Sequence, residues 1–174
     1  MPKKQSLKID YNFIEDNDYS IIAINCQLKD YRLVHFLNKT LHFQFCKIDN
    51  LIKQFGKNFQ SEIFSCFCFT QSDTLSTFYV IQNKNYSSSI LIQELKQIDY
   101  FLIIKSSYYN ALRIKEITNQ IRKIEYVLML QTINIQKANY FQYLLNDIEI
   151  LELENQKKQS DMVKNKKQKL CKKK

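Results

Sequence analysis

The sequence feature that most constrains the fold is a segment with helical periodicity between two short apolar runs of strand length. Residues 109–124 place isoleucines on one helix face and Arg and Lys on the other. The runs on either side, 98–106 and 125–135, are short and apolar, which is typical of buried strands. This order predicts a strand–helix–strand unit, with 125–135 as a central strand because its apolar run is continuous. The helix stripe consists of Ile114, Ile117, Ile121 and Ile124.

The N-terminal part predicts a second strand followed by a helix. Residues 19–27 form a short apolar run, and 28–43 has helical periodicity with Asp30 placed to cap it. The segment 44–52 predicts a short strand or a turn, and Gly56 marks a loop over 53–60. The buried face of the predicted helix holds Leu33, Val34, Leu37 and Leu41.

The middle of the chain predicts a run of strands. Residues 62–70, 75–83 and 87–93 are strand candidates separated by polar turn signals, so the first two indicate a hairpin. Residues 136–154 then predict a C-terminal helix. Both sides of the first strand are largely apolar, which indicates that both are covered; Ile63, Ser65, Phe67 and Phe69 lie on one side, and Phe64, Cys66 and Cys68 on the other.

These elements predict an α+β fold in which a mainly antiparallel sheet has two or three helices packed on one face. A split-βαβ, ferredoxin-like topology with an inserted hairpin fits the order. We expect one domain over 1–154, with a loose start at 1–10 and a C-terminal helix at about 136–154. Residues 155–174 predict a disordered, Lys-rich tail.

The net charge of +9 is a property of that tail. Residues 155–174 hold nine Lys and one Asp, whereas the other 154 residues are nearly neutral. Such a tail can neutralise phosphates of RNA, or it can be a neutral appendage. The abundance of Ile, Lys, Asn, Tyr and Phe is typical of an AT-rich genome, in which some Lys reflects codon usage, so the two alternatives are about equally favoured. The tail lysines are Lys157, Lys158, Lys164, Lys166, Lys167, Lys169, Lys172, Lys173 and Lys174.

Several classes of chemistry lack their usual residues. One glycine cannot supply a Walker loop or a dinucleotide fingerprint, each of which needs several. Cys66 and Cys68, with Cys46 and His42 upstream, are too sparse for a zinc site, and we interpret the cysteines as buried apolar side chains. His35 lies two helical turns from His42, which indicates surface histidines. We therefore expect no metal and no cofactor.

The location of the protein is expected to be cytoplasmic. No run approaches the 18 apolar residues of a membrane span, and no apolar stretch follows the basic N-terminus. The cysteine count of five is odd and without framework spacing, which indicates free thiols in a reducing compartment.

The stretch "ILIQELKQIDYFLII" over 90–104 carries charges inside an apolar run. Glu94 and Asp99 could form an acid/base pair, but a structural role at a polar bend between two strand pieces is the preferred interpretation. Catalysis by this pair is the least favoured hypothesis.

The same stretch resembles the signature of the IPExxxVDY family, small Bacteroidetes proteins. Ile92, Glu94, Asp99 and Tyr100 match the signature, while Gln93 replaces its Pro and Ile98 its Val. The segments "KIDYNF" and "LKDYRLVHFLNKTL" also resemble the family, so the resemblance covers about residues 7–135. It implies a cytoplasmic bacterial protein and assigns no catalytic residue.

Two binding functions follow as hypotheses. The leading one is a non-enzymatic domain that binds a macromolecule, with RNA or a ribonucleoprotein favoured through the tail. The alternative is a protein-interaction or dimerisation module that uses a sheet face or edge. The 12 Phe and 11 Tyr are interpreted mainly as core residues rather than base-stacking groups. The candidate binding residues are Glu94, Asp99, Tyr100 and the nine tail lysines.

Overall fold

A computed structural model describes residues 19–55, 60–135 and 138–171, without the side chains of residues 156 and 159–171. The predicted loose start, the segment "KIDYNF", Gly56 and Lys172, Lys173 and Lys174 lie outside the described residues. In chain order the elements are β1 (Tyr19–Cys26), α1 (Asp30–Leu41), β2 (Cys46–Lys47), β3 (Leu51–Phe55), β4 (Gln60–Phe64), β5 (Cys66–Gln71), β6 (Ser76–Gln82), β7 (Tyr100–Lys105), α2 (Ala111–Ile121), β8 (Val127–Ile133) and α3 (Tyr140–Cys171).

The main sheet has six strands in the order β2-β5-β6-β7-β1-β8, and every neighbouring pair is antiparallel. As a result β1 and β6 run parallel with β7 between them, and β7 and β8 run parallel with β1 between them. These are two split βαβ units, one containing α1 and the other α2. The predicted α+β class and split topology are confirmed. The insertion between α1 and β6 supplies β2, β5 and the β3–β4 hairpin.

Two helices cover one face of this sheet. The predicted stripes of α1 and α2 are buried against the strand residues Ile22, Phe78 and Leu102. This face carries the first of two separate apolar clusters, and it confirms the prediction of two or three helices on one face. Burying each such side chain contributes about 1.5–3 kcal/mol.

The opposite face is covered by α3 and the β3–β4 hairpin. Phe101 of β7 meets Phe141 of α3 edge to face, with ring centroids 5.1 Å apart. Phe64 of β4 is fully buried in the same cluster. The aromatic residues at these positions therefore pack in the core, as expected, and the sheet face is not open for stacking on bases.

Three strand predictions need correction. Residues 87–93 form no strand, because Asn83 and Asn85 take up backbone groups of this segment and only an isolated Lys84–Ile90 bridge remains. Residues 125–135 give β8, an edge strand rather than a central one. The strand predicted at 62–70 is two strands that join different sheets and break at Ser65.

The start of α1 also differs from the prediction. Lys29 occupies the cap position without a side-chain hydrogen bond, and Asp30 is the first helical residue. Its carboxylate accepts the Tyr31 N–H at 2.8 Å instead of capping the helix from outside.

The last helix is longer than expected, since α3 continues to Cys171 through the segment predicted to be a disordered tail. This segment lacks Gly and Pro and is rich in Lys and Gln, which favour helix. Ion pairs hold α3 against the body: Lys53 with Asp147, Lys105 with Glu149 and Glu152, and Lys158 with Asp49. None of the described helices combines the length and the apolar character that crossing a membrane requires.

Candidate functional site

Asp99 joins two backbone segments at one end of the sheet. Its Oδ2 accepts the Cys26 N–H at 2.9 Å, at the end of β1. Its Oδ1 pairs with the Lys84 ammonium at 2.8 Å, just after β6. Asp99 does accept a backbone N–H bond, but from a strand 73 residues away in sequence rather than from its own bend. Both of its oxygens are thus occupied by the protein itself.

Tyr100 holds the turn between β1 and α1. Its side chain is buried, and its hydroxyl donates to the Leu28 carbonyl at 2.6 Å. Burial, with Asp30 nearby, raises the pKa of this phenol well above its usual range, so it remains a neutral donor. The residue therefore fixes the backbone two residues before Asp30.

Glu94 lies on a short 3-10 turn over Gln93–Leu95 and is exposed. The loop around it is organised by Asn83, a fully buried residue. Its Nδ2 donates to the carbonyls of Leu95 and Ile98, and its Oδ1 accepts the Ile92 N–H. Glu94 is thus exposed, while both oxygens of Asp99 are held by Cys26 and Lys84, which removes the basis of the acid/base pair. No sequence pattern marked Asn83.

A polar cavity of about 340 Å³ lies next to these supports. It is bounded by the start of α1, by β2 and β4, and by the loop after β6. The side chains that matter most for its chemistry are Asp30, Lys47, Glu62, Ser65, Gln82 and Tyr86. Sequence reasoning saw Asp30 only as a cap and missed the others, since residue 47, residues 62–65 and residues 82–86 are far apart in the sequence.

Asp30 is the buried charge of this cavity, with 8% of its surface exposed. Burial alone would raise the pKa of its carboxyl. Hydrogen bonds from Ser65, the Tyr31 N–H and Tyr86, together with the charge of Lys47, outweigh burial and lower that pKa. The Tyr86 hydroxyl donates to Oδ1 at 2.9 Å. Asp30 is therefore an ionised acceptor at neutral pH.

Gln82 lies behind Asp30 and is 5% exposed. Its Oε1 accepts the Ser65 N–H at 3.3 Å and the Ser65 hydroxyl at 3.2 Å. Because a backbone N–H can only donate, the first of these contacts identifies which end of the amide is oxygen. The Gln82 side chain is one of those that line the cavity.

Three of the described thiols, those of Cys26, Cys66 and Cys68, offer little reactivity. Burial raises the pKa of Cys66 and of Cys68 to about 11 and also raises the pKa of Cys26. Cys46 is exposed, which corrects the expectation that it is buried. Among the residues that the structure describes, no three His, Cys, Asp or Glu side chains are grouped so as to hold a metal ion.

Strand β8 forms an apolar, uncharged edge of the main sheet. Its sequence is "VLMLQTI", and one of its sides pairs with β1 while the other has no strand partner among the described residues. Leu128 is 64% exposed and Met129 41% exposed. Protein edges of this kind are usually protected by Lys, Pro or a covering segment. This edge has no charged or proline residue over its seven positions.

The tail lysines lie on or beyond the last turns of α3. Lys158 pairs with Asp49 at 2.5 Å, which ties the start of the predicted tail to the loop before β3. Lys157 is exposed. The backbone of Lys164, Lys166, Lys167 and Lys169 is helical, and their side chains are not described.

No protein-family model and no curated protein matches this chain. The resemblance to the IPExxxVDY family stays a prediction, and the function has to be argued from the geometry.

Proposed function

We propose that this protein is a protein-interaction domain that extends its sheet by pairing β8 with β8 of a second copy. The observation that supports this proposal best is the edge itself. Its outer backbone groups have no strand partner within the described part of the chain, its apolar side chains are exposed, and it lacks any charge that would repel a partner.

A second copy suits this edge because antiparallel pairing of one strand with itself is two-fold symmetric. In a register centred on Leu130, Val127 lies opposite Ile133 and Met129 opposite Gln131. No charged residue faces another across the seven positions. The pairing would join two six-stranded sheets and remove Leu128 and Met129 from water.

The test compares Met129→Lys with Leu112→Lys. Both replace an exposed apolar side chain by a charge, but Leu112 lies on α2. Sedimentation equilibrium should give a dimer for the wild type and for Leu112→Lys, and a monomer for Met129→Lys, because two like charges would enter the pairing region. A wild type that stays monomeric at about 100 μM, a concentration where weak self-association is still visible, would refute the proposal.

A second candidate, binding of RNA or a ribonucleoprotein, is favoured by the position of the tail lysines. Among the α3 side chains that the structure describes, Leu151 is the last buried one, and the basic segment follows it as a continuous helix. A helix would line up several ammonium groups for phosphate contact. The pairing of Lys158 with Asp49 reduces the number that are free.

The RNA test compares the full chain with a chain ending at Glu154 on a single-stranded RNA oligomer. Binding through the tail should weaken steeply between about 50 and 200 mM salt and should be lost on truncation. Equal binding by the two chains would contradict the role of the tail.

A further inference from the structure

We propose that Cys46 and Cys68 form a reversible disulfide when the protein meets an oxidised low-molecular-weight disulfide. The bond joins β2 to β5 at the edge of the main sheet that lies opposite β8. The proposal goes beyond the interaction of β8 and depends neither on that edge nor on the tail lysines.

The strand register places the two cysteines directly opposite each other. Cys46 of β2 pairs with Cys68 of β5 in an antiparallel ladder. Side chains of residues paired in this way lie on the same face of the sheet, with Cβ atoms about 4.5–5.5 Å apart. Burial is the main cause that raises the pKa of Cys68 to about 11, and the charges of Glu152 and Cys46 raise it further. The two thiols are therefore near enough to interact.

The backbone spacing of this pair falls within the range of disulfides. The Ile48 N–H donates to the Cys66 carbonyl at 3.1 Å, so these two residues form a hydrogen-bonded pair of the ladder. Such pairs recur at every second position, so Cys46 and Cys68 also form one, with Cα atoms about 5.5 Å apart. Disulfides span about 4.4–6.8 Å between Cα atoms and need Cβ atoms about 3.5–4.5 Å apart. Because β2 has two residues and lies at the sheet edge, it can move by the small distance required.

The same geometry argues against the other described cysteines as partners of Cys46. Cys66 lies two residues from Cys68, so it is a diagonal neighbour of Cys46 at about 7–8 Å, and it is 1% exposed. Cys26 lies on β1, three strands from β5, and neighbouring strands are about 4.7–4.9 Å apart. Among the cysteines whose side chains the structure describes, Cys68 is thus the one that the fold presents to Cys46.

The two cysteines differ in access, which sets the order of the reaction. Cys46 is exposed, so its thiolate attacks one sulfur of the oxidant, breaks the S–S bond and releases one thiol. Cys68 then loses its proton to solvent, and its thiolate attacks the Cys46 sulfur of the mixed disulfide and releases the second thiol. The protein gives up two electrons and two protons, and the oxidant takes up both pairs. The high pKa of Cys68 keeps its thiolate scarce, but its fixed position beside Cys46 favours the second step.

The bond fixes a part of the sheet that is otherwise held by few contacts. Only two residues of β2 pair with the outer side of β5 in the described part of the chain. The ring closed over residues 46–68 also contains the β3–β4 hairpin, which covers the α3 face of the sheet. The Ile48 N–H should therefore exchange with water more slowly in the oxidised protein than in the reduced one.

The experiment incubates the full chain with glutathione disulfide at about pH 8, blocks free thiols with iodoacetamide and digests the protein with trypsin without reduction. Cleavage at lysine gives peptide 40–47, which holds Cys46, and peptide 58–84, which holds Cys66 and Cys68. Mass spectrometry should find the two peptides joined, two hydrogen atoms lighter than their sum, and separated again by dithiothreitol. Fragment spectra of the joined peptides should place the bond on Cys68.

Two matched variants on β5 test the assignment. Cys68→Ala should abolish the joined peptides and leave Cys46 as a mixed disulfide with glutathione, whereas Cys66→Ala should keep them. Because Cys66 is buried, the fragment spectra of the wild type give the same assignment if this variant fails to fold. A wild type in which Cys46 carries only glutathione would overturn the proposal, and so would a bond from Cys46 to Cys66 or to Cys171.

Discussion

Replacing Asn83 with alanine should destabilise the protein more than any single change to a charged residue of the signature. The side chain is 0% exposed and makes three hydrogen bonds to backbone groups of the loop after β6. It donates to Leu95 O at 3.0 Å and to Ile98 O at 2.9 Å, and it accepts from Ile92 N at 2.8 Å. Each bond contributes about 1 kcal/mol net, and buried backbone groups left unpaired add to the cost.

The expected loss is therefore about 3–5 kcal/mol in the free energy of unfolding, a large share of the roughly 5–15 kcal/mol of a typical domain. Urea denaturation followed by circular dichroism measures it, with the m-value checked for constancy. Asn119→Ala is the control, because Asn119 is exposed on α2 and its side chain accepts a hydrogen bond from the exposed Arg122 at 3.4 Å. A loss for Asn83→Ala below about 1 kcal/mol would refute this account of the loop.

Two further predictions follow from the ionisable groups. The lowered pKa of Asp30 contributes stability that is present above the usual value of 3.8 and is lost as the pH falls below it. The free energy of unfolding should thus decrease more steeply from about pH 4 to about pH 2.5 in the wild type than in Asp30→Asn; equal slopes would contradict the role of Asp30. In a Cys171→Ser background at about pH 8, a thiol reagent should label exposed Cys46 rapidly and buried Cys66 only upon unfolding. Rapid labelling of Cys66 in the native protein would show that its burial is wrong.

The helices of the sheet's first face could be predicted because their signal is local. Four apolar residues at helical spacing must face one way, and the stripes of α1 and α2 are buried as predicted. The split topology followed from the order of elements and the short connections. The length of α3 could not be predicted from charge, because a Lys-rich segment is compatible with both a helix and a disordered chain.

The errors in the strands have a different cause. The run at 125–135 is apolar throughout, and such a run predicts a strand covered on all sides; here the strand lies at the edge, with Leu128 and Met129 exposed. Residues 87–93 have strand composition, but the place beside β6 is taken by β5 and β7. The position of a strand in the sheet depends on which other strands can pair with the same neighbour. The sequence of the strand itself does not contain that information.

The candidate site shows the same limit most clearly. Asp99 and Tyr100 are visible in the sequence because they interrupt an apolar run, yet their partners are Cys26 and Leu28, more than 70 residues away. They hold backbone in place, while Asp30 and Gln82 face the cavity without any pattern around them. A signature can thus mark the support of a site rather than its binding groups. It follows that removing the Asp99 carboxylate or the Tyr100 hydroxyl should lower the free energy of unfolding, because each group holds a backbone segment more than 70 residues away in sequence.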